Sequence, residues 1–209
     1  MEKIYETAYA KINLGLDVLG KRSDGYHEVR MVMQSVGLSD AVEIEEGEGL
    51  VVETDHSGLA GGPDNLAWKA AELLARCCGK IPNVHIRLNK KIFLAAGLAG
   101  GSSDAAAVMR GLSRLWQLDL TAPELEKLAA ELGSDIPFCI TGGTALAEGR
   151  GEILTELPEA PELLLVLAKP KLEVATGWVY GNFRQQKVNQ RPDIDGIIKA
   201  LEQSATGLL

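Results

Sequence analysis

The sequence predicts an α+β protein, because strand-like segments come first and a mixture of helices and strands follows without strict βαβ alternation. The 209 residues are 46% hydrophobic, which suffices for one substantial domain or for one domain with a smaller companion. The best candidate boundary is the polar, proline-punctuated stretch 155–161. We therefore expect one domain over 1–157 and a second over 158–209.

The first part of the chain consists of strand signals separated by turn chemistry. Apolar-rich runs over 4–19 and 28–38 flank the segment 20–25, whose glycine, serine and aspartate residues are typical of a turn. Two more short strands are expected at 41–44 and 50–54. The first sixty or so residues are therefore predicted to be largely strands.

Helical periodicity begins after Asn65, which is placed to cap a helix that ends at Gly79. A strand is expected at 85–88, and the clearest helix of the sequence follows over 103–116.

Three further helices and one strand complete the predicted order. A capping-box pattern opens a helix over 121–132, and an apolar run over 163–168 predicts a fully buried strand. The last two helices are expected over 174–182 and 194–204.

The charge balance argues against nucleic acid as a partner. The chain has 21 basic and 29 acidic residues, a net charge of −8, and no basic footprint for a phosphate backbone. Neither a signal-peptide-like apolar core nor a run of about 18 apolar residues is present. We expect a cytoplasmic protein with no membrane partner, and the oligomeric state is not specified by the sequence.

The most informative segment is the run of small residues AAGLAGGSSDAAA at 95–107. Small residues let a backbone approach a ligand closely, and glycines permit positive φ. Ser102 and Ser103 stand where the run enters a helix, so unpaired N–H groups and the positive end of the helix dipole face one spot. Taken alone, the run fits a phosphate site or a tight helix-entry turn, although it is long for capping. It matches neither the Walker A spacing nor G-x-G-x-x-G.

Two other segments carry candidate functional residues. In AKINL, Lys11 and Asn13 share one face of a predicted strand, where a lysine is either functional or a solvated edge residue. Tyr26 and His27 lie in the turn DGYHE, where aromatic residues are less expected. Asp135 follows a helix stop and precedes a proline, so it suits the capping of a helix as well as catalysis.

Together these segments resemble the motifs of the GHMP kinases. AGLAGGSSDAAA is similar to the second, phosphate-binding motif, GSDIP to the G-x-D-[VI]-P segment, and AKINL with DGYHE to the first motif of the branch that acts on a cytidine diphosphate-linked substrate. The resemblance covers nearly the whole chain. It implies the GHMP kinase fold, with a ribosomal protein S5 domain 2-like N-terminal domain. The C-terminal α+β domain is expected to be incomplete, because the third glycine-rich motif is missing.

The resemblance implies an ATP-dependent kinase for a hydroxyl of 4-diphosphocytidyl-2-C-methyl-D-erythritol, in non-mevalonate isoprenoid precursor biosynthesis. Lys11 and Asp135 would be catalytic and would pair with each other. Asn13, Tyr26, His27 and Thr176 would bind the substrate, with Tyr26 stacked on the cytosine ring and His27 bonded to its polar edge.

ATP, with Mg²⁺ whose ligands are unspecified, would be held by the glycine-rich loop. The loop residues with this implied role are Phe93, Leu94, Ala95, Ala96, Gly97, Leu98, Ala99, Gly100, Gly101, Ser102 and Ser103. Members of the family often have glycine where this chain has Ala99, and proline is expected where it has Phe93. Lys90 and Lys91 precede the loop, where they either relieve phosphate charge or, as the default expectation, form a solvated basic pair. The resemblance also implies an adenosine contact for Asn65, beside its alternative role as a helix cap.

Two alternative functions remain open from the sequence. The first is a GHMP kinase for another small alcohol, such as mevalonate, homoserine or a sugar, against which the DGYHE element argues. The second is a truncated or inactive nucleotide-binding protein of the same type. The presence of every residue assigned to chemistry favours an active kinase over this second alternative.

Overall fold

A computed structural model describes residues 3–172, 174–184 and 187–205. The strands in the described part of the chain are β1 (Lys3–Lys21), β2 (His27–Glu46), β3 (Leu50–Thr54), β4 (Val84–Asn89), β5 (Thr144–Glu148) and β6 (Ile153–Glu156). The helices are α1 (Leu66–Cys77), α2 (Gly100–Leu115), α3 (Ala122–Ala129), α4 (Ile136–Thr141), α5 (Thr176–Asn182) and α6 (Ile194–Ala205).

The chain forms two compact units that interleave along the sequence. Unit 1 comprises the described parts of 1–10, 36–93 and 99–141, and unit 2 those of 11–35, 94–98 and 142–209. The strands β1 and β2 each contribute one segment to either unit. The expected boundary between residues 157 and 158 concerns folding domains, and it stays a prediction.

Unit 1 is a sheet layer covered by helices. The second half of β2 pairs antiparallel with β4, with Ala41 opposite Asn89, and β3 lies parallel to β4 on its other side. Alternate residues of β4 are buried, as a strand with one covered face requires. Helix α2 packs against α1 and α4, and its apolar stripe joins α1 and these strands in one core.

The helix caps of unit 1 follow the sequence closely. The Asn65 side chain accepts a hydrogen bond from the amide of Ala67 at 2.9 Å and donates to the carbonyl of Ala60 at 2.8 Å, so its capping role is confirmed. In α3, the Glu124 carboxylate accepts from the amide of Thr121 at 2.8 Å, as the capping box predicts.

Unit 2 is built on the first half of β2. This segment pairs antiparallel with β5, with Met31 opposite Ala147, and β5 pairs antiparallel with β6. Helix α6 covers the core residues Val32 and Leu146 with its own Ile194 and Leu201. The approach is close at Gly15, where an added Cβ would lie 2.5 Å from a methyl group of Ile197 on α6.

The α+β class is confirmed, but two expected elements differ. Residues 41–44 do not form a separate strand, because they continue β2, which runs unbroken to Glu46. Residues 163–168 form no strand and are exposed, with Leu164 97% and Val166 95% accessible. An apolar run becomes a buried strand only where a sheet edge and a covering layer meet it, and in the described chain none does so here.

Candidate active site

The glycine-rich loop approaches α2 through left-handed backbone. Ala95, Gly97 and Ala99 have φ of 50°, 71° and 58°. An alanine in this region costs about 1 kcal/mol or more, because its Cβ crowds the following carbonyl. The fold retains this strain at two positions in one loop, and such strain clusters where a backbone must meet a ligand.

Helix α2 begins without a side-chain cap. Ala99 occupies the capping position and has no side-chain acceptor, and its carbonyl accepts from the amide of Ser103 at 2.8 Å. The N–H groups of the first turn therefore lack the usual side-chain partner at the positive end of the helix dipole. Gly101 is exposed, and an added Cβ there would meet only Leu66, at 3.5 Å. This is the geometry of an anion site.

Ser103 has a structural use in addition to its predicted one. Its side chain is buried, and its hydroxyl donates to the carbonyl of Tyr9 at 2.6 Å and lies 3.4 Å from the sulfur of Cys139. This fixes α2 to the unit 1 segment of β1 and to α4. A direct contact between Ser103 and phosphate stays a prediction.

Asp135 stands at the start of the short helix α4. Its carbonyl accepts from the amide of Cys139 at 3.3 Å, so its backbone holds the capping position that the sequence allowed. Helix α4 packs on α2, and Arg110 of α2 donates to the carbonyl of Cys139 at 2.6 Å. The half-buried carboxylate of Asp135 is thus carried by a helix start that is anchored to α2.

Lys11 in unit 2 is buried, at 5% exposure, so the alternative of a solvated edge lysine is wrong. Its amide donates to the carbonyl of Leu98 at 3.1 Å, which ties β1 to the glycine-rich loop. Its ammonium group donates to the Asn13 side chain at 3.2 Å, so these two residues share a face as predicted. A lysine is held out of water only where other groups replace its hydration.

Tyr26 and His27 lie in a turn with aromatic and cationic neighbours. Tyr26 is 52% exposed, and the guanidinium of Arg150 lies 4.8 Å from the centre of its ring. The ring of His27 is 5.3 Å from that of Tyr180 and 6.2 Å from that of Phe183. No functional role was predicted for these three neighbours. The aromatic spacing within and after α5 is a signal that could have identified Tyr180 and Phe183.

Thr176 is the exposed first residue of α5, and Tyr180 lies on the same helix one turn later. Helix α5 therefore carries both a predicted substrate residue and the aromatic partner of His27. A substrate contact by Thr176 itself stays a prediction.

A buried charged cluster of unit 1 was missed by the sequence analysis. The ammonium group of Lys90 donates to carboxylate oxygens of both Asp40 and Asp104, and these side chains are 1% exposed or less. The expected solvated pair is therefore wrong for Lys90. Burial raises the pKa of Asp104 to about 7, and the lysine charge only partly opposes this. The signal was an aspartate at a position of α2 that continues the apolar stripe.

Two features absent from the described residues bear on metals and membranes. These residues contain no group of three or more His, Cys, Asp or Glu side chains arranged to hold a metal ion. Nor does any helix within them have the length and apolar character to cross a bilayer.

Within each unit, the described contacts connect some predicted residues to one another or to the elements that support them. In unit 1, Ser103 of α2 contacts Cys139 of the helix that Asp135 begins. In unit 2, Lys11 meets Leu98 of the loop, and His27 meets α5. The pairing of Lys11 with Asp135 stays a prediction.

Comparison with known proteins places these features in a family. The model for the GHMP kinases N terminal domain matches residues 65–143. A 4-diphosphocytidyl-2-C-methyl-D-erythritol kinase of Acetivibrio thermocellus is 48% identical over 210 residues, covering 100% of this chain and 74% of that protein. The enzyme of the same name from Geobacillus kaustophilus is 48% identical, covering 94% of this chain and 68% of its own length.

A solved structure agrees with the sequence relatives. The crystal structure of a 4-(cytidine 5'-diphospho)-2C-methyl-D-erythritol kinase is 34% identical with a TM-score of 0.75, over 96% of this chain and 72% of that one. The chain thus spans about 70% of the length of these relatives.

Proposed function

Because this chain belongs to the 4-diphosphocytidyl-2-C-methyl-D-erythritol kinase family of the GHMP kinases, we propose that it transfers the γ-phosphoryl group of ATP to a hydroxyl of that cytidine-containing alcohol. The single structural observation that carries the proposal is the start of α2. Three left-handed residues lead to a helix N-terminus that lacks a side-chain cap. A triphosphate is the ligand class that such an array of amides suits best.

Phosphoryl transfer is mainly positioning and neutralisation of charge. The hydroxyl oxygen would form a bond to the γ-phosphorus while the bond from phosphorus to the bridging oxygen of ADP breaks. Asp135 would accept the hydroxyl proton, and the products would be ADP and a phosphate ester. An aspartate is a weak base for an alcohol, so the proton should leave late, when the oxygen is already committed to phosphorus.

The proposed role of Lys11 is electrostatic. Its buried ammonium group would stabilise negative charge that develops on the attacking oxygen, and low exposure strengthens such an interaction. Mg²⁺ bound with ATP would supply further neutralisation of phosphate charge. Because the backbone amides of the loop would also bind phosphate, the protein needs fewer cationic side chains at this site.

The proposed substrate residues lie in unit 2. The exposed ring of Tyr26 offers a face to the cytosine, and Arg150 packs on that ring. His27 would hydrogen-bond the polar edge of the base, supported by the neighbouring rings of Tyr180 and Phe183. Asn13 and Thr176 are proposed as further substrate contacts.

A kinase panel tests this proposal. Each candidate alcohol is incubated with ATP and the chain, and the phosphate ester is detected by phosphorus NMR. We expect product from the cytidine diphosphate-linked alcohol and none from mevalonate, homoserine or methylerythritol phosphate without the cytidine group. Product from mevalonate or homoserine alone would instead support a GHMP kinase for another alcohol, and no product at all would support an inactive nucleotide-binding protein.

The variant Tyr26→Ala tests the proposed cytosine contact in the same assay. Loss of the ring should raise the KM of the alcohol and leave that of ATP near wild type, because stacking is worth about 1–3 kcal/mol per base. Tyr5→Ala, at an exposed tyrosine on the unit 1 part of β1, serves as the matched control. A change in the KM of ATP alone would remove Tyr26 from the proposed pocket.

A further inference from the structure

Three charged side chains of unit 1 connect the entry of the glycine-rich loop to its exit. Asp40 lies on β2, Lys90 directly follows β4, and Asp104 lies in the second turn of α2. Lys90 donates to both carboxylates. We call these three residues the loop clamp.

The entry to the loop is held by the other oxygen of Asp40. Its Oδ1 accepts from the amide of Ile92 at 2.8 Å and from that of Lys91 at 2.5 Å. These two residues lead directly into Phe93, the first residue of the predicted phosphate loop. Asp40 therefore fixes the backbone at which the loop begins.

The exit of the loop rests on the same residues. An added Cβ at Gly100, the first residue of α2, would lie 3.0 Å from a methyl carbon of Ile92 and 3.7 Å from the ammonium nitrogen of Lys90. The start of α2 thus packs directly on the loop entry and on the clamp. Only a residue without a side chain permits this distance.

The charges of the clamp are poorly suited to stability alone. Two carboxyl groups face one ammonium group, and Oδ1 of Asp104 is buried without a hydrogen-bond partner among the described residues. Buried ion pairs are seldom more stabilising than apolar residues of equal volume, and an unsatisfied buried oxygen adds a further penalty. A cluster of this kind is expected where a specific geometry matters.

We propose that Asp40, Lys90 and Asp104 are positioning residues, which hold the two ends of the glycine-rich loop together so that its amides are arranged for the ATP phosphates before the nucleotide binds. The inference rests on the proposed kinase function for its ligand. It concerns residues that would not touch the nucleotide, and it assigns them an effect on ATP affinity through the loop.

The test compares two changes at Asp104. Asp104→Asn retains an oxygen that can accept from Lys90, whereas Asp104→Ala removes it. We expect Asp104→Ala to raise the KM of ATP about tenfold or more, since a hydrogen bond to a charged group is of that order. The KM of the alcohol should stay near wild type, and Asp104→Asn should restore most of the ATP affinity. Equal effects of the two changes, or equal changes in both KM values, would overturn the inference.

A control separates positioning from general destabilisation. Ile86→Ala truncates a fully buried residue of the apolar core of the same unit, and it should destabilise the fold without altering the KM of ATP. If Asp104→Ala does not fold, the neutral triple variant Asp40→Asn, Lys90→Met and Asp104→Asn replaces it, because it leaves no buried charge unpaired. Normal ATP affinity in that variant would contradict the inference.

A second measurement does not depend on kinase activity. In the nucleotide-free protein, amide hydrogen exchange at Lys91, Ile92 and Ser103 should be faster in Asp104→Ala than in Asp104→Asn. Unchanged exchange would overturn the clamp even if the wild type is an active kinase. Faster exchange in a protein that does not consume ATP would instead contradict only the proposed function.

Discussion

Asp104 links folding to pH, because its carboxyl is buried beside Lys90 and Asp40 and its pKa is raised from 3.8 to about 7. Between about pH 4 and 7 the folded protein holds a proton that the unfolded chain has released. The stability contributed by this proton is present at low pH and lost as pH rises through about 7. Asp104→Asn has no such proton and should remove this part of the pH dependence.

The expected difference is on the order of a few kcal/mol across that interval, since each unit of pKa corresponds to about 1.4 kcal/mol. Urea unfolding of wild type and Asp104→Asn at several pH values measures it. Asp119→Asn, at an exposed position, is the control and should keep the wild-type pH dependence. Identical slopes in wild type and Asp104→Asn would contradict a buried, titrating Asp104.

At the scale of single residues, sequence patterns identified candidate functional residues better than they identified whether those residues are buried or exposed. The resemblance selected Lys11 and the Tyr26–His27 pair, while reasoning from the residues alone left Lys11 open to being solvated. Burial of Lys11 and of Lys90 depends on partners distant in sequence, such as Leu98 and Asp40. The apolar stripe of α2 could have indicated that Asp104 is buried, but no local pattern identifies its partners, so the loop clamp as a whole could not be predicted.

At the scale of elements, a substitution in the first turn of α2 should stabilise the fold and at the same time weaken ATP binding. Gly101 is exposed and an added Cβ there meets only ordinary contact distance, so Gly101→Ala should fit the helix. Alanine is favoured over glycine in helices by roughly 1 kcal/mol. We expect a higher free energy of unfolding together with a raised KM for ATP, because the new methyl group keeps phosphate away from the backbone.

Gly100→Ala is the comparison for this prediction. Its Cβ would lie 3.0 Å from a carbon of Ile92, so stability should fall instead of rising. Urea unfolding and ATP kinetics on both variants decide the matter. An unchanged KM for ATP in Gly101→Ala would show that the backbone at this turn does not approach the nucleotide.

Periodicity and capping signals located most helices to within a few residues, since both are local properties of the chain. Asn65 and the capping box at Thr121 mark helix starts that the structure reproduces. The exposed run 163–168 shows what such local signals cannot predict. A hydrophobic sequence indicates that a segment prefers burial, but tertiary partners determine whether it is buried.

At the scale of the whole molecule, we expect the exposed apolar run 163–168 to promote association between copies of the chain. Leu164 and Val166 are almost fully exposed and lie in one continuous apolar stretch, which soluble monomers usually avoid. We expect concentration-dependent self-association in sedimentation velocity. The double change Leu164→Ser and Val166→Ser should reduce it and leave the KM of ATP unaltered.

Ile81→Ser is the control for this effect, because Ile81 is 75% exposed and lies between Lys80 and Pro82, outside any long apolar run of the sequence. It should not change the sedimentation profile. Equal association in wild type and in the double variant would contradict the expected role of the run.

The interleaving of two units along the chain was also beyond sequence analysis. A boundary inferred from composition is a single point, whereas β1, β2 and the glycine-rich loop each pass from one unit to the other. The motifs at Lys11, in the loop and at Asp135 are far apart in sequence, and a resemblance is what grouped them. We propose that these three motifs act jointly in one reaction.

Single-turnover phosphorylation of the cytidine diphosphate-linked alcohol by wild type and Asp135→Asn tests this joint role. We expect phosphate ester from wild type and a rate about 10²–10⁴-fold lower in Asp135→Asn, the usual contribution of a general base. Binding of the alcohol, measured by calorimetry, should be retained in the variant. Wild-type turnover in Asp135→Asn would show that Asp135 is not the general base.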